Sequence, residues 1–73
     1  MPDNDSILKK HSIVIAGHQT SVTLENIFWQ QFKEIARKRG LSLSKLTEDI
    51  DLHRQTNLSS AIRVFVLKEQ MKT

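Results

Sequence analysis

Gln19-Thr20-Ser21-Val22-Thr23-Leu24-Glu25, followed at once by Asn26-Ile27-Phe28-Trp29-Gln30-Gln31-Phe32, changes its hydrophobic period from two to 3.6 within a few residues. In the first half polar and apolar residues alternate, so Val22 and Leu24 share one face of an extended strand while Gln19, Ser21 and Thr23 share the other. In the second half Phe28, Phe32, Ile35 and Ala36, flanked by Trp29, recur at the spacing of one helix face. Glu25 suits the positive end of that helix, Arg37-Lys38-Arg39 its negative end, and Gly40 the left-handed residue that stops it. The spacing therefore predicts a strand leading directly into a helix over about Glu25 to Arg39.

Upstream, Ser12-Ile13-Val14-Ile15-Ala16 is a short β-branched run ended by Gly17, and Gly17-His18 reads equally as a tight hairpin turn or a bulge. Met1 to Ser6, with one Pro and two Asp, reads as a frayed end. Residues 1–9 are accordingly expected to be a flexible segment and residues 10–73 one domain. Downstream, Ser42 or Ser44 caps a second helix with Leu43, Leu46 and Ile50 on one face, ending near His53 or Gln55. Thr56-Asn57 offers the next cap, and Leu58, Ala61, Ile62, Phe65 and Met71 mark a third helix. Val64, Val66 and Leu67 make its middle apolar nearly all round, which implies a partner chain or a second core contact.

Seventy-three residues make one small domain whose single core is marginal. There is no cysteine, hence neither disulfide nor thiolate metal site. No apolar run approaches the ~20 residues of a membrane span, and Met1 to Asp5 are polar and acidic rather than basic then apolar, so no secretory signal is read and a cytoplasmic location is expected. A net charge of +3 permits nucleic acid as a partner. His11, His18 and His53 are too scattered for a ligand pattern, and no cofactor or metal is expected. With two glycines there is no phosphate-cradling loop, and no Ser/His/Asp constellation occurs, so enzymatic activity is not supported. Glu48, Asp49 and Asp51 read as a solvated face that could also repel DNA or bind a basic partner. Trp29, Phe28 and Phe32 read as core.

One or two short strands with a Val/Leu face are unstable alone, and an unpaired edge invites a partner. An identical strand from a second copy, related by a two-fold axis, would satisfy both needs. Val22, Leu24, Trp29 and Phe32 would then lie in a core shared by the dimer.

The order of residues resembles the bacterial ribbon-helix-helix family. The resemblance rests on Gly17-His18-Gln19-Thr20-Ser21-Val22-Thr23-Leu24-Glu25, Phe28-Trp29, Gly40-Leu41-Ser42-Leu43, and Asn57-Leu58-Ser59-Ser60-Ala61-Ile62-Arg63-Val64-Phe65-Val66, and it covers about Lys10 to Leu67. It implies an α+β fold: an intertwined homodimer sharing an antiparallel β-ribbon, here with an additional C-terminal helix. It also implies that the paired strands enter the major groove of double-stranded DNA; many relatives are transcriptional repressors or antitoxins. In that family the solvent-facing ribbon side chains read base edges, which here are Gln19, Ser21 and Thr23. Glutamine can bond adenine through two atoms, and the hydroxyls can donate or accept. Many family ribbons carry Arg or Lys at one of these positions and this one carries none, so Lys10 and Ser12 on the preceding run are a second candidate strand, with Lys10 a phosphate contact.

A phosphate site also follows from helix physics. The start of the second helix presents free N–H groups and a positive dipole end, with Ser42, Ser44 and Lys45 beside it and Arg39 just before. From Lys33 to Lys45 five cations face Glu34 alone, a net +4; the plainer account is ordinary capping and a solvated charged face. The function expected is a small repressor-like transcription regulator, homodimeric and assembling further on DNA. The alternative is a protein-interaction module that holds another protein with its apolar third helix.

Overall fold

The computed structural model describes residues 4–72. A 3-10 turn at Asn4–Ser6 precedes β1 (Leu8–Ile15), β2 (His18–Glu25), α1 (Asn26–Arg39), α2 (Leu43–His53) and α3 (Leu58–Met71). The two strands pair antiparallel, from Ile15 opposite His18 to Leu8 opposite Glu25. Between them Ala16 (φ 49°) and Gly17 (φ 81°) both lie in the left-handed region. That pair of positive angles is a type I′ turn, whose twist matches that of the flanking strands. The turn thus sits one residue before Gly17-His18, and His18 is the first residue of β2. Gly17 adopts its angle without penalty, whereas Ala16 has a Cβ that crowds the backbone there.

Within one chain β1 pairs with β2 over eight residues, so the antiparallel ribbon forms before any second copy is added. β1 is longer than the apolar run Ser12–Ala16. Leu8, Lys9 and Lys10 extend it without a clean alternation because β2 offers each of them an opposite residue. The frayed end read for Met1 to Ser6 falls partly on residues 1–3, outside the described residues. Asn4–Ser6 are tied to the hairpin's far end, where Asn26 Nδ2 donates to Asn4 O (2.7 Å) and Asn26 N to Ile7 O (2.9 Å).

The inner face of the hairpin carries Ile13, Ile15, Val22 and Leu24, all buried. They pack with Phe32, Ile35 and Ala36 of α1, Leu46 of α2, and Ile62 and Val66 of α3 in one cluster. Val22, Leu24 and Phe32, expected in a core shared between copies, are each 1% exposed or less within a single chain. Trp29 is only half-buried. On α3, Ile62 and Val66 face inward, while Val64, Leu67 and Met71 form an exposed stripe. Met71, anticipated on the buried side, is 74% exposed because it falls on the Val64 and Leu67 side of α3, away from Ile62 and Val66.

Local sequence explains the helix ends. Glu25 leads into α1 with extended backbone and no side-chain cap, and Gly40 closes it at φ 68°. Gly40 N donates to Arg37 O and Leu41 N to Ala36 O, the paired bonds of a Schellman ending. Ser42 caps α2, its Oγ accepting from Lys45 N (3.0 Å), and Asn57 caps α3, its Oδ1 accepting from Ser60 N (2.9 Å).

Ala16→Asn converts the turn to Asn-Gly, the pair that best tolerates two positive φ angles. It should raise stability by about 1 kcal/mol, the order of the left-handed penalty at a non-glycine residue. Thermal melts of the two proteins at equal concentration check this, and an unchanged or lower melting temperature would count against the turn described.

Candidate nucleic-acid interface

The outer face of the hairpin is built of two parallel rows of side chains. The register sets Leu8 opposite Glu25, Lys10 opposite Thr23, Ser12 opposite Ser21 and Val14 opposite Gln19. Gln19, Ser21, Lys10, Ser12 and Val14 are exposed, and Thr23 is half-buried. Residues that flank a two-residue turn exchange both backbone bonds, and pairs then alternate between bonded and non-bonded. The outer-face pairs are therefore the non-bonded kind, with Cα atoms about 4.5 Å apart and side chains in close company. The amide of Thr23 accordingly points away from β1. It donates to Ser59 Oγ (3.0 Å), so the start of α3 closes the β2 edge at that point.

The expected base-reading residues Gln19, Ser21 and Thr23 thus share one face with Lys10, which stands opposite Thr23. The cation absent from the three β2 positions is supplied across the ribbon by β1. The acid at the far end, Glu25, bonds Arg63 (Nε to Oε1, 3.0 Å). Its own backbone N–H, and then the Arg63 guanidinium, hold its carboxyl below the ordinary range against the effect of desolvation. The face therefore presents neutral polar groups, one lysine, an acid already paired, and the apolar side chains of Val14 and Leu8. Sequence reasoning passed over Val14, whose place opposite Gln19 follows only once the turn is set at Ala16-Gly17.

The phosphate candidates divide. Ser42, Ser44 and Lys45 sit together on the first turn of α2, where the cap uses the Lys45 amide and the amides of Leu43 and Ser44 have no partner within the helix. Lys45 Nζ lies 3.4 Å from Asp49 Oδ1 on the exposed side of α2, a pair weak enough for a phosphate to replace. This helix start is at the end of α2 away from the hairpin tip, since Asp51 and Arg54 of its other end share a small cavity with Ile15, Ala16, His18, Gln19 and Thr20. Arg39 is directed elsewhere: its guanidinium pairs with Glu69 of α3 and lies 5.1 Å from the Phe65 ring centre. Arg37 pairs with Glu34, whose carboxyl its hydrogen bond holds below the usual range. The basic run from Lys33 to Lys45 is thus largely neutralised in place. Asp51 of the acidic group pairs with Arg54 (2.6 Å) in the same way.

Beside the ribbon the active charges are lysines. His11, on the inner face opposite Val22, stacks on Trp29 with ring centres 3.8 Å apart and planes 8° from parallel. Its Nε2 is buried with no hydrogen-bond partner. Burial first, then the positive charges of Lys33 and Lys9, push its pKa below the ordinary histidine value. Lys9 and Lys33 therefore flank the junction of hairpin and α1, and the Lys9-Lys10 pair was the visible signal. His18 is exposed at the turn, and His53 Nδ1 sits 2.9 Å from Asp49 O within its own helix. Among the described residues no group of three His, Cys, Asp or Glu could hold a metal ion, and no helix is long and apolar enough to cross a membrane.

Between α2 and α3 lies an open groove of about 560 Å³ floored by Leu46, Ile50, Ala61, Val64 and Phe65. Together with the exposed α3 stripe it forms an apolar surface away from the hairpin.

The family model of the ribbon-helix-helix domain matches residues 8–70. Among solved structures the chain is similar to an uncharacterized protein from Bordetella pertussis Tohama I, with a TM-score of 0.75 and 29% sequence identity. The match covers 92% of this chain and 58% of that one, so this chain spans little more than half of its neighbour's length. No curated protein matches in sequence.

The folded state keeps His11 neutral more strongly than the unfolded chain does. As pH falls below about 6.5 the unfolded state takes up this proton first, so stability is full above that value and declines as pH falls toward the lower folded pKa. Melting temperatures between pH 7.5 and 5 should fall in the wild type and fall less in His11→Phe, which keeps a ring on Trp29. Parallel pH profiles for the two proteins would contradict this account of His11.

Proposed function

This chain belongs to the ribbon-helix-helix domain family, and from that we propose that it is a small sequence-specific protein of double-stranded DNA that regulates transcription as a homodimer. Members of the family commonly bind DNA and dimerise. The observation that supports the reading most is the outer face of the hairpin: a two-stranded ribbon on which Lys10, Ser12, Val14, Gln19 and Ser21 are all exposed. Such a ribbon has the width that the major groove admits.

In this reading Gln19 bonds an adenine through two atoms, while Ser21, Thr23 and Ser12 offer hydroxyls to neighbouring base edges. Lys10 reaches a phosphate from the same face. Ser42, Ser44 and Lys45 hold a second phosphate at the α2 start, which fixes position without reading sequence. Arg39 can join them only by leaving Glu69 and Phe65. Regulation is by occlusion of the site, with no catalytic step, cofactor or metal.

The two groups of contacts should fail differently. Gln19→Ala should weaken binding to a selected duplex by about 1–3 kcal/mol and relax the preference at one base pair per half-site. Lys10→Ala and Lys45→Ala should weaken selected and scrambled duplexes alike and flatten the salt dependence by about one counterion per lost phosphate contact. Fluorescence anisotropy across a salt series measures both. A wild type that prefers no duplex, with only weak binding that vanishes near physiological salt, would end the DNA reading.

The exposed stripe Val64, Leu67 and Met71 is the surface proposed for the second copy. The same stripe favours the second reading, an adaptor that holds a different protein there. Sedimentation separates them: the wild type should be a dimer at micromolar concentration, and Leu67→Glu a folded monomer, since the core lies within one chain. A wild type that stays monomeric would favour the adaptor.

A further inference from the structure

We infer that Val14 determines specificity on the ribbon, its methyl groups receiving the 5-methyl of a thymine next to the base that Gln19 reads. This rests on the DNA-binding reading above. Val14 is 53% exposed on the outer face, where the register sets it directly opposite Gln19. Its outer-face neighbours are Ser12 along β1 and Gln19 and Ser21 across the ribbon, none of them apolar. Strand propensity does not require valine there, because a threonine would serve the backbone as well with a hydroxyl to solvent. Packing does not require it either, since the core lies on the other face. The other apolar side chain of this face, Leu8, is at the far end opposite Glu25.

The chemistry of the major groove fits the pair. Adenine presents N7 and N6–H₂, which match the two ends of a glutamine amide, and thymine presents O4 and a methyl group that is recognised by apolar contact. Side chains directly opposite in a non-bonded pair have Cβ atoms about 5 Å apart. Successive bases on one DNA strand rise about 3.4 Å. An amide and an isopropyl group at that separation therefore rest on one base pair or on neighbours, and together they tell A·T from T·A as well as from G·C. Lys10 stands four residues back along β1, about 13 Å away, and its charge supplies attraction without choosing a base.

The test uses duplexes recovered by the wild-type protein from a randomised pool, in which each thymine is replaced in turn by uracil, which lacks only the 5-methyl. Wild type should lose about fourfold in affinity at one thymine per half-site, the value of one buried methylene-sized group (about 0.8 kcal/mol). Val14→Ala should bind the thymine and uracil duplexes equally, and Gln19→Ala should keep the uracil effect while losing affinity for both. Val14→Ala should also melt with the wild type, since the residue is outside the core, and a circular-dichroism melt checks this. If wild type binds a selected duplex tightly but no uracil replacement matters, or if Val14→Ala still discriminates, the role of Val14 is refuted and the DNA reading stands. If wild type recovers no duplex, both fall.

Discussion

The two rows of outer-face side chains on the ribbon are positioned by one constraint, the closure of the hairpin through two left-handed residues. With Ala16 and Gly17 as the entire loop, Ile15 must face His18, and every later pair is then set. A slip of one residue in β2 would exchange its inner and outer faces, exposing Val22 and Leu24 and burying Thr23 and Ser21. The inner face opposes such a slip, because Ile13, Ile15, Val22 and Leu24 are buried against Phe32, which is 0% exposed. The polar row is thus held outward by apolar burial on the opposite side.

The third helix has a share in this that its composition alone conceals. Ile62 and Val66 complete the core, while Ser59 accepts the Thr23 amide and Arg63 holds Glu25. Arg39 and Glu69, with Gln31 and Gln70 (2.6 Å), fasten the other end of α3 to α1. These surface ion pairs are individually weak. Their effect is geometric: they seat α3 so that β2 has a covered edge at Thr23 and the outer face stays clear. The cost is an apolar stripe at Val64, Leu67 and Met71 that the chain cannot cover itself.

Much of the fold was legible in residue order. The change of period after Leu24, the terminator Gly40 and the caps Ser42 and Asn57 are local signals, and the helices begin and end within a residue or two of them. Pairing was harder to read. Leu8-Lys9-Lys10 has no strand alternation, and a hairpin turn with alanine at its first position lacks the Asn-Gly or Asp-Gly signature, so hairpin and bulge stood as equal readings at Gly17-His18. Candidate residues were legible where a face decides them, as for Gln19, Ser21 and Thr23, whose outward direction follows from period two. They were not legible where tertiary contacts decide: Arg39 belongs by sequence to a basic cluster but turns to Glu69, thirty residues away, and Val14 gains its position only from the register.

The account rests on both strands of the ribbon coming from one chain in the register that sets Ser12 opposite Ser21. Nuclear Overhauser contacts between α-protons, recorded on an equal mixture of ¹³C-labelled and unlabelled chains, test this directly, because non-bonded antiparallel pairs bring those protons together. Contacts of Lys10 with Thr23, Ser12 with Ser21 and Val14 with Gln19 should appear between protons both attached to ¹³C, and be absent from the spectrum filtered for contacts between labelled and unlabelled chains. Finding those three contacts only in the filtered spectrum would mean that the strands belong to different copies, and would contradict the account.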